Sequence, residues 1–157
     1  MLDWFAVGMR GAREVEEALE RLGLAVEAHA LPDDAHTVQQ TADALAASPA
    51  QVVKSIAVRR AGSDETMVVL AAGTEPIDLD ALGRRLGCAL ELVPGKEVER
   101  ATGYPPGVVP PVGLAPGVRV VLDESFPEAG LVFTGAGVPG AVLAHRADEL
   151  RRVLVSA

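Results

Sequence analysis

The segment Thr102–Gly113 limits the folds open to this chain more than any other stretch. It holds three glycines and four prolines, so it can form neither a helix nor a central strand. Val108, Val109 and Val112 make it too apolar for a disordered linker. We therefore expect a stiff, folded loop, in which proline fixes the backbone and glycine lets a ligand approach closely. Such a loop suits the wall of a small pocket; a rigid structural crossover is the alternative.

A second unusual feature is a lysine within an apolar strand. The stretch Val52–Val58 is rich in β-branched residues and follows a Ser48-Pro49 turn signal, which predicts a β-strand. Alternation puts Lys54 on the more apolar face of this strand and Ser55 on the other face. Burying an ammonium group without a partner is costly, so a carboxylate, a wet cleft or a ligand anion should meet it. An edge-strand lysine whose stem covers apolar surface is the alternative.

Length and charge narrow the class of protein. The 157 residues predict one domain over residues 1–157. A net charge of −8 argues against broad binding along a nucleic-acid backbone, which needs many cations. The same charge still permits a local cationic site that grips only the end of a nucleic acid.

The sequence gives no signal for a metal or a cofactor. The single cysteine, Cys88, has no partner for an internal disulfide, and no Cys/His spacing indicates metal ligands. His29 and His36 lack a nearby nucleophile or second ligand, so we expect ordinary surface or hydrogen-bonded histidines. The first residues do not resemble a secretory signal, and no apolar run is long enough to span a membrane. We therefore expect a cytoplasmic protein with no membrane partner.

The rest of the chain mixes short strands and helices without strict βαβ alternation. This pattern favours an α+β fold with a mixed, curved β-sheet and peripheral helices. Predicted helices cover residues 10–23, 37–47, 78–86 and 147–155, with a short helical turn ending at residue 100; predicted strands cover 24–30, 52–58, 66–72, 88–93, 118–122, 131–134 and 141–144.

Three stretches in this order carry a resemblance to a known family: Gln51–Ile56, Thr102–Gly113 and Thr134–Gly137. Together they resemble the YbaK-type aminoacyl-tRNA deacylases, which are related to the editing domain inserted in bacterial prolyl-tRNA synthetases. The resemblance covers residues 20–155. It implies a β-barrel surrounded by helices and a hydrolase that cleaves the ester joining a mischarged amino acid to the tRNA 3′ end. The implied partners are that tRNA end and an aminoacyl-tRNA synthetase.

The resemblance also assigns the site. Lys54 takes the position of the family's lysine, for which we expect a catalytic role. Ser55 matches a Ser/Thr position of the family, although alternation turns it away from Lys54. The family's Gly-x-x-x-P loop and second glycine loop complete the substrate-binding set, which we expect at Ser55, Gly103, Gly107, Val108, Val109, Pro111, Gly135 and Gly137.

The implied chemistry needs neither a metal nor a serine triad, because an aminoacyl ester is already activated. Candidate donors to the developing oxyanion are the Lys54 ammonium and the N–H groups of Gly107–Val109. Lys54 has an alternative role in holding the phosphate of the terminal adenosine. The nucleophile is water, or water assisted by a ribose hydroxyl or a substrate group.

Two alternatives stay open at this point. The resemblance leaves the amino-acid specificity open, because the family often carries a polar residue after the second glycine loop and Val138–Val142 offers none. Selection between substrates that differ by a methylene is modest in an apolar pocket, so we expect a small amino acid such as Ala, Ser or Cys. The same fold can instead serve as a non-catalytic module that binds tRNA or a synthetase. A generic ligand-binding domain would be indicated by an apolar pocket with Lys54 turned outward.

Overall fold

The computed structural model describes residues 10–156 and confirms the α+β prediction. Every helix in that range is too short or too polar to span a bilayer. Most predicted elements form within a few residues of their expected bounds. The helices are α1 (Arg10–Arg21), α2 (Val38–Leu45), α3 (Leu79–Leu86), α4 (Gly95–Thr102) and α5 (Ala147–Ser156), with a 3₁₀ helix at Pro49–Gln51; the strands are β1 (Glu27–Ala30), β2 (Val53–Arg60), β3 (Thr66–Ala72), β4 (Leu90–Leu92), β5 (Arg119–Leu122), β6 (Leu131–Gly135) and β7 (Ala141–Arg146).

The strands form two sheets, so the expected closed barrel is wrong for the described residues. One sheet has the order β4-β2-β3-β5 and is mixed, because β3 and β5 are parallel while the other pairs are antiparallel. The other has the order β1-β7-β6 and is antiparallel. A parallel bridge between Val52 and Phe133 links the start of β2 to β6. The two strands form no ladder beyond that bridge, and the sheet therefore stays open there.

The core follows the alternation of side chains along β2 and β3. Val53 and Ala57 enter the main hydrophobic cluster, together with side chains of β6, β7, α1 and α5. Ile56 and Val58 pack on the other face of the sheet, against Leu82 of α3. Strand β3 contributes buried residues to both clusters, which explains its unbroken apolar sequence.

Two capped helical segments fix the chain just before β2. The Thr37 hydroxyl accepts a hydrogen bond from the Gln40 N–H, and the Gln40 side chain accepts one from the Thr37 N–H, both at 3.1 Å. At the 3₁₀ helix, the Ser48 hydroxyl accepts a hydrogen bond from the Ala50 N–H, and the Gln51 side chain accepts one from the Ser48 N–H. Capping boxes of this kind satisfy N–H groups that a helix leaves free at its start. The helix predicted over residues 37–47 forms, with Thr37 as its N-cap.

Candidate functional site

A cleft of about 420 Å³ opens beside the first half of β2. On this side β2 pairs with β4 from Val58 to Arg60 and bridges to β6 at Val52, which leaves the edge between them open. The cleft, named here the Lys54 cleft, is bounded by that edge, the end of β6, the Pro106–Val109 loop and the start of α2.

Lys54 lies in the wall of this cleft and is partly buried. Its ammonium group donates a 2.6 Å hydrogen bond to the carbonyl oxygen of Glu75, in the turn after β3. Within residues 10–156, Lys54 forms no ion pair with a carboxylate. A carbonyl orients the ammonium but does not neutralise it, so the positive charge stays available to a ligand. In the sheet order β2 lies between β4 and β3, but at Lys54 it pairs with β3 alone, so the edge-strand alternative for Lys54 stays open.

The glycine- and proline-rich loop forms part of the cleft wall. Gly107, Val108 and Val109 line the cavity. The N–H groups of Gly107 and Val109 donate no hydrogen bond to any described residue. The Val108 N–H donates a long hydrogen bond, 3.4 Å, to the carbonyl oxygen of Pro105. Free N–H groups at a cavity wall are suited to an oxygen that gains negative charge.

The second glycine loop packs directly against this first loop. A Cβ atom on Gly135 would lie 2.8 Å from the Val108 carbonyl oxygen and closer still to that of Val109, so glycine permits the contact. The Gly137 N–H donates a 2.8 Å hydrogen bond to the Val108 carbonyl. Gly135 lines the cleft, whereas Gly137 lies behind the wall, where a Cβ would be 2.9 Å from the Tyr104 ring.

Tyr104 holds the ends of the first loop together. Its side chain is 1% exposed, and its hydroxyl donates a 2.5 Å hydrogen bond to the Gly113 carbonyl. Burial raises the pKa of Tyr104 to about 12, so the phenol keeps its proton at neutral pH. Gly103, which ends α4 with a positive φ of 96°, and the buried Pro111 are not among the residues that line the cleft. From this position we expect Gly103 and Pro111 to hold the loop's backbone in place rather than to contact a ligand.

Ser55 lies in the cleft wall together with Lys54, although the two side chains leave β2 on opposite faces. The open edge of β2 explains this, because an unpaired strand edge can expose residues of both faces to one cavity. The Ser55 hydroxyl oxygen is buried and has no hydrogen-bond partner. Such a group is a candidate contact for a ligand.

Sequence reasoning missed two further cleft residues and a residue behind them. His36, assigned there to the surface, is exposed and lines the cleft. Thr134 also lines it, and its hydroxyl lies 2.9 Å from Nε2 of the buried His145. Burial lowers the pKa of His145 to about 4. The sequence could have indicated that His145 is buried, because it lies two residues after Leu143 in the same strand and so shares its inward face. No group of three or more His, Cys, Asp or Glu side chains within residues 10–156 could hold a metal ion.

Comparison with known sequences identifies related proteins. A family model of the aminoacyl-tRNA editing domain matches residues 32–153. The uncharacterized protein YwhH of Bacillus subtilis is 31% identical over 114 residues, which cover 73% of this chain and 72% of that protein. A proline–tRNA ligase of Citrifermentans bemidjiense is 32% identical over 133 residues; the match covers 80% of this chain but spans 23% of the ligase.

Comparison with solved structures agrees with the sequence matches. One solved crystal structure is of a protein to which a trans-editing role for prolyl-tRNA synthetase has been ascribed. This chain superposes on it with a TM-score of 0.82 at 29% identity. The match covers 94% of this chain and 93% of that protein. Sequence and fold thus agree with the resemblance carried by Lys54 and the two glycine loops, and the chain belongs to the aminoacyl-tRNA editing domain family.

Proposed function

We propose that this protein is an aminoacyl-tRNA deacylase that acts in trans on mischarged tRNA. It hydrolyses the ester that joins a small amino acid to the tRNA 3′ end. The observation that carries this proposal is the Lys54 ammonium. It lies in the wall of a cleft, beside the glycine- and proline-rich loop, and is hydrogen-bonded to a carbonyl rather than paired with a carboxylate.

The reaction needs charge stabilisation more than a strong base. Water attacks the ester carbonyl, and the carbonyl oxygen becomes negative in the tetrahedral intermediate. Lys54 and the free N–H groups of Gly107 and Val109 are the donors that stabilise this oxygen. The bond from the carbonyl carbon to the ribose oxygen then breaks. The ribose hydroxyl leaves with a proton and the amino acid departs as its acid.

The size and charge of the molecule fit recognition of the tRNA end rather than of its body. A volume of about 420 Å³ lies in the range of small-molecule sites and suits an aminoacyl-adenosine end. The net charge of −8 disfavours wide contact with phosphates. Because nearby side chains in 138–142 are apolar, selection by size is expected to reach about 10–200-fold between substrates that differ by one methylene.

A panel of tRNAs charged with Ala, Ser or Cys tests the proposal. The protein should release at least one of these amino acids. Lys54→Ala should lower that rate by about 100-fold or more, as expected for loss of an oxyanion donor. The thermal transition should change little because the lysine side chain forms a single hydrogen bond with the described residues. Release of amino acid is measured on acid-precipitated tRNA.

Lys96→Ala is the matched control, since Lys96 is the other lysine of the chain and is exposed on α4. This control should hydrolyse the tRNA at the parent rate. Full activity in Lys54→Ala would rule out the role assigned to Lys54. Binding of charged tRNA without release of the amino acid would favour the non-catalytic binding module.

A further inference from the structure

Behind the Lys54 cleft, Thr134 and His145 form a buried polar pair. Thr134 is 1% exposed and His145 is 2% exposed, and Thr134 Oγ1 lies 2.9 Å from His145 Nε2. The two residues lie diagonally across neighbouring strands, because Thr134 is opposite Leu143 and His145 is opposite Val132. Thr134 lines the cleft, so the pair connects the cavity wall to the core.

The surroundings of His145 determine which nitrogen carries its proton. Nδ1 is buried and has no hydrogen-bond partner, and desolvation keeps the imidazole neutral at pH 7. A proton on Nδ1 would be a buried N–H donor without an acceptor, a state that proteins avoid more strictly than an unmet acceptor. The proton therefore belongs on Nε2, and Thr134 Oγ1 accepts the hydrogen bond.

This arrangement leaves the Thr134 hydroxyl proton without a well-placed acceptor among the described residues. The acceptor available in the protein is the Gly135 carbonyl at 3.4 Å, which is at the outer limit of a hydrogen bond. A ligand oxygen in the cleft would be a better acceptor. The α-ammonium group of an amino acid cannot accept this hydrogen bond, because it carries donors and no acceptor.

We propose that His145 is a positioning residue that fixes Thr134 as a hydrogen-bond donor to an oxygen of the substrate. This inference rests on the deacylase function proposed above. The acceptor is the ester or carbonyl oxygen of the aminoacyl group. His145 does not touch the substrate and acts through the threonine.

The tautomer is measured independently of catalysis. A two-bond ¹H–¹⁵N correlation spectrum of the labelled protein at pH 7 should show a neutral His145 protonated on Nε2. A proton on Nδ1, or a charged imidazolium, would overturn the inference. This measurement stands even if no mischarged tRNA is hydrolysed, so failure of the function and failure of the pair are distinguishable.

A double-mutant cycle tests the effect on the substrate. Thr134→Val removes the hydroxyl, and His145→Phe removes the N–H while keeping a ring. Each should lower kcat/KM by about three- to tenfold, the range for one neutral hydrogen bond. The combined variant should lose no more than either alone, since both changes remove the same interaction. The combined variant also leaves no unpaired buried polar group, which keeps the test valid if a single variant folds poorly.

The controls separate positioning from structure. Thr134→Ser keeps the hydroxyl and should retain most of the activity. Affinity for an amide-linked aminoacyl-adenosine, which cannot be hydrolysed as an ester, should fall by a similar factor in Thr134→Val. Additive losses in the cycle, or unchanged affinity of Thr134→Val for the amide analogue, would show that His145 only fills the core.

Discussion

Two clefts of equal volume, about 420 Å³ each, lie near the two ends of β2. The Lys54 cleft lies at its start, and a second one, named here the Arg59 cleft, is lined by Arg59, Glu65, Glu97 and Arg100 near its end. In the Arg59 cleft both arginines are paired with carboxylates, whereas Asp64, which also lines it, forms no ion pair with a described residue. Arg59 bonds Glu91 at 2.8 Å, and Glu97 lies 3.6 Å from Arg59 and 3.2 Å from Arg100.

The difference lies in unmet hydrogen-bonding capacity rather than in size. The hydrogen bond that Arg59 donates to Glu91 holds the pKa of Arg59 above its ordinary value, as expected for a satisfied ion pair. In the Lys54 cleft, the Lys54 charge meets a carbonyl and the Ser55 hydroxyl has no partner. A cavity whose polar groups lack partners is prepared for a ligand, whereas one whose charges are paired has less to offer it.

Alanine substitutions in the two clefts should give the largest difference in deacylation rate. Lys54→Ala should reduce deacylation by about 100-fold or more, because a donor to the developing oxyanion is lost. Arg59→Ala should leave the rate at the parent level. Initial rates on the same mischarged tRNA compare the two. A similar loss in both variants would mean that the Arg59 cleft also contributes to the reaction.

The buried His145, behind the Lys54 cleft, should make the stability of the folded protein depend on pH. Between pH 6.5 and about 4 the unfolded chain binds a proton at this histidine and the folded protein does not. Stability should therefore fall as the pH is lowered through this window, by roughly 3 kcal/mol from this group. Urea unfolding of the parent and of His145→Phe at several pH values measures it. Identical pH profiles for the two proteins would contradict the assignment.

Gly135→Ala tests whether close packing of the two loops shapes the cleft. The added Cβ would overlap the Val108 and Val109 carbonyls and force backbone shifts, at a cost of about 1–3 kcal/mol. Gly95→Ala is the control, because its Cβ would meet no atom within 4 Å at the start of α4. Urea unfolding should show a loss for the first variant alone. Equal stabilities would mean that the loops are not held in contact.

Tyr104→Phe should have the smallest effect. It removes the hydrogen bond that joins the ends of the loop and leaves the Gly113 carbonyl without that donor, which costs about 1 kcal/mol. Because the ring still fills its place beside Gly137, the core should stay packed. Urea unfolding measures the loss, and hydrogen exchange of residues 104–113 shows whether it is local. A stability equal to that of the parent would mean that packing alone holds the loop.

Local features predicted most of the elements. The helix after Thr37 and the helix between Asp78 and Gly87 carry caps and apolar spacing within a few residues, so they could be recognised without the rest of the chain. Strands β2 and β3 were predicted for the same reason, from their runs of apolar residues. The prediction of a barrel was wrong, because closure of a sheet depends on pairing between strands that are distant in sequence. Here β2 meets β6 through a single bridge.

By itself, the sequence determined that Lys54 interrupts an apolar strand and that residues 102–113 form a stiff loop, since both follow from alternation and from the geometry of proline and glycine. Tertiary structure alone decided that these stretches share one cleft with Thr134, that Ser55 faces it too, and that His145 supports its wall. Those contacts depend on where β2 stops pairing and on how β6 aligns with β7. Both are set by packing between segments far apart in the chain, which no local pattern records.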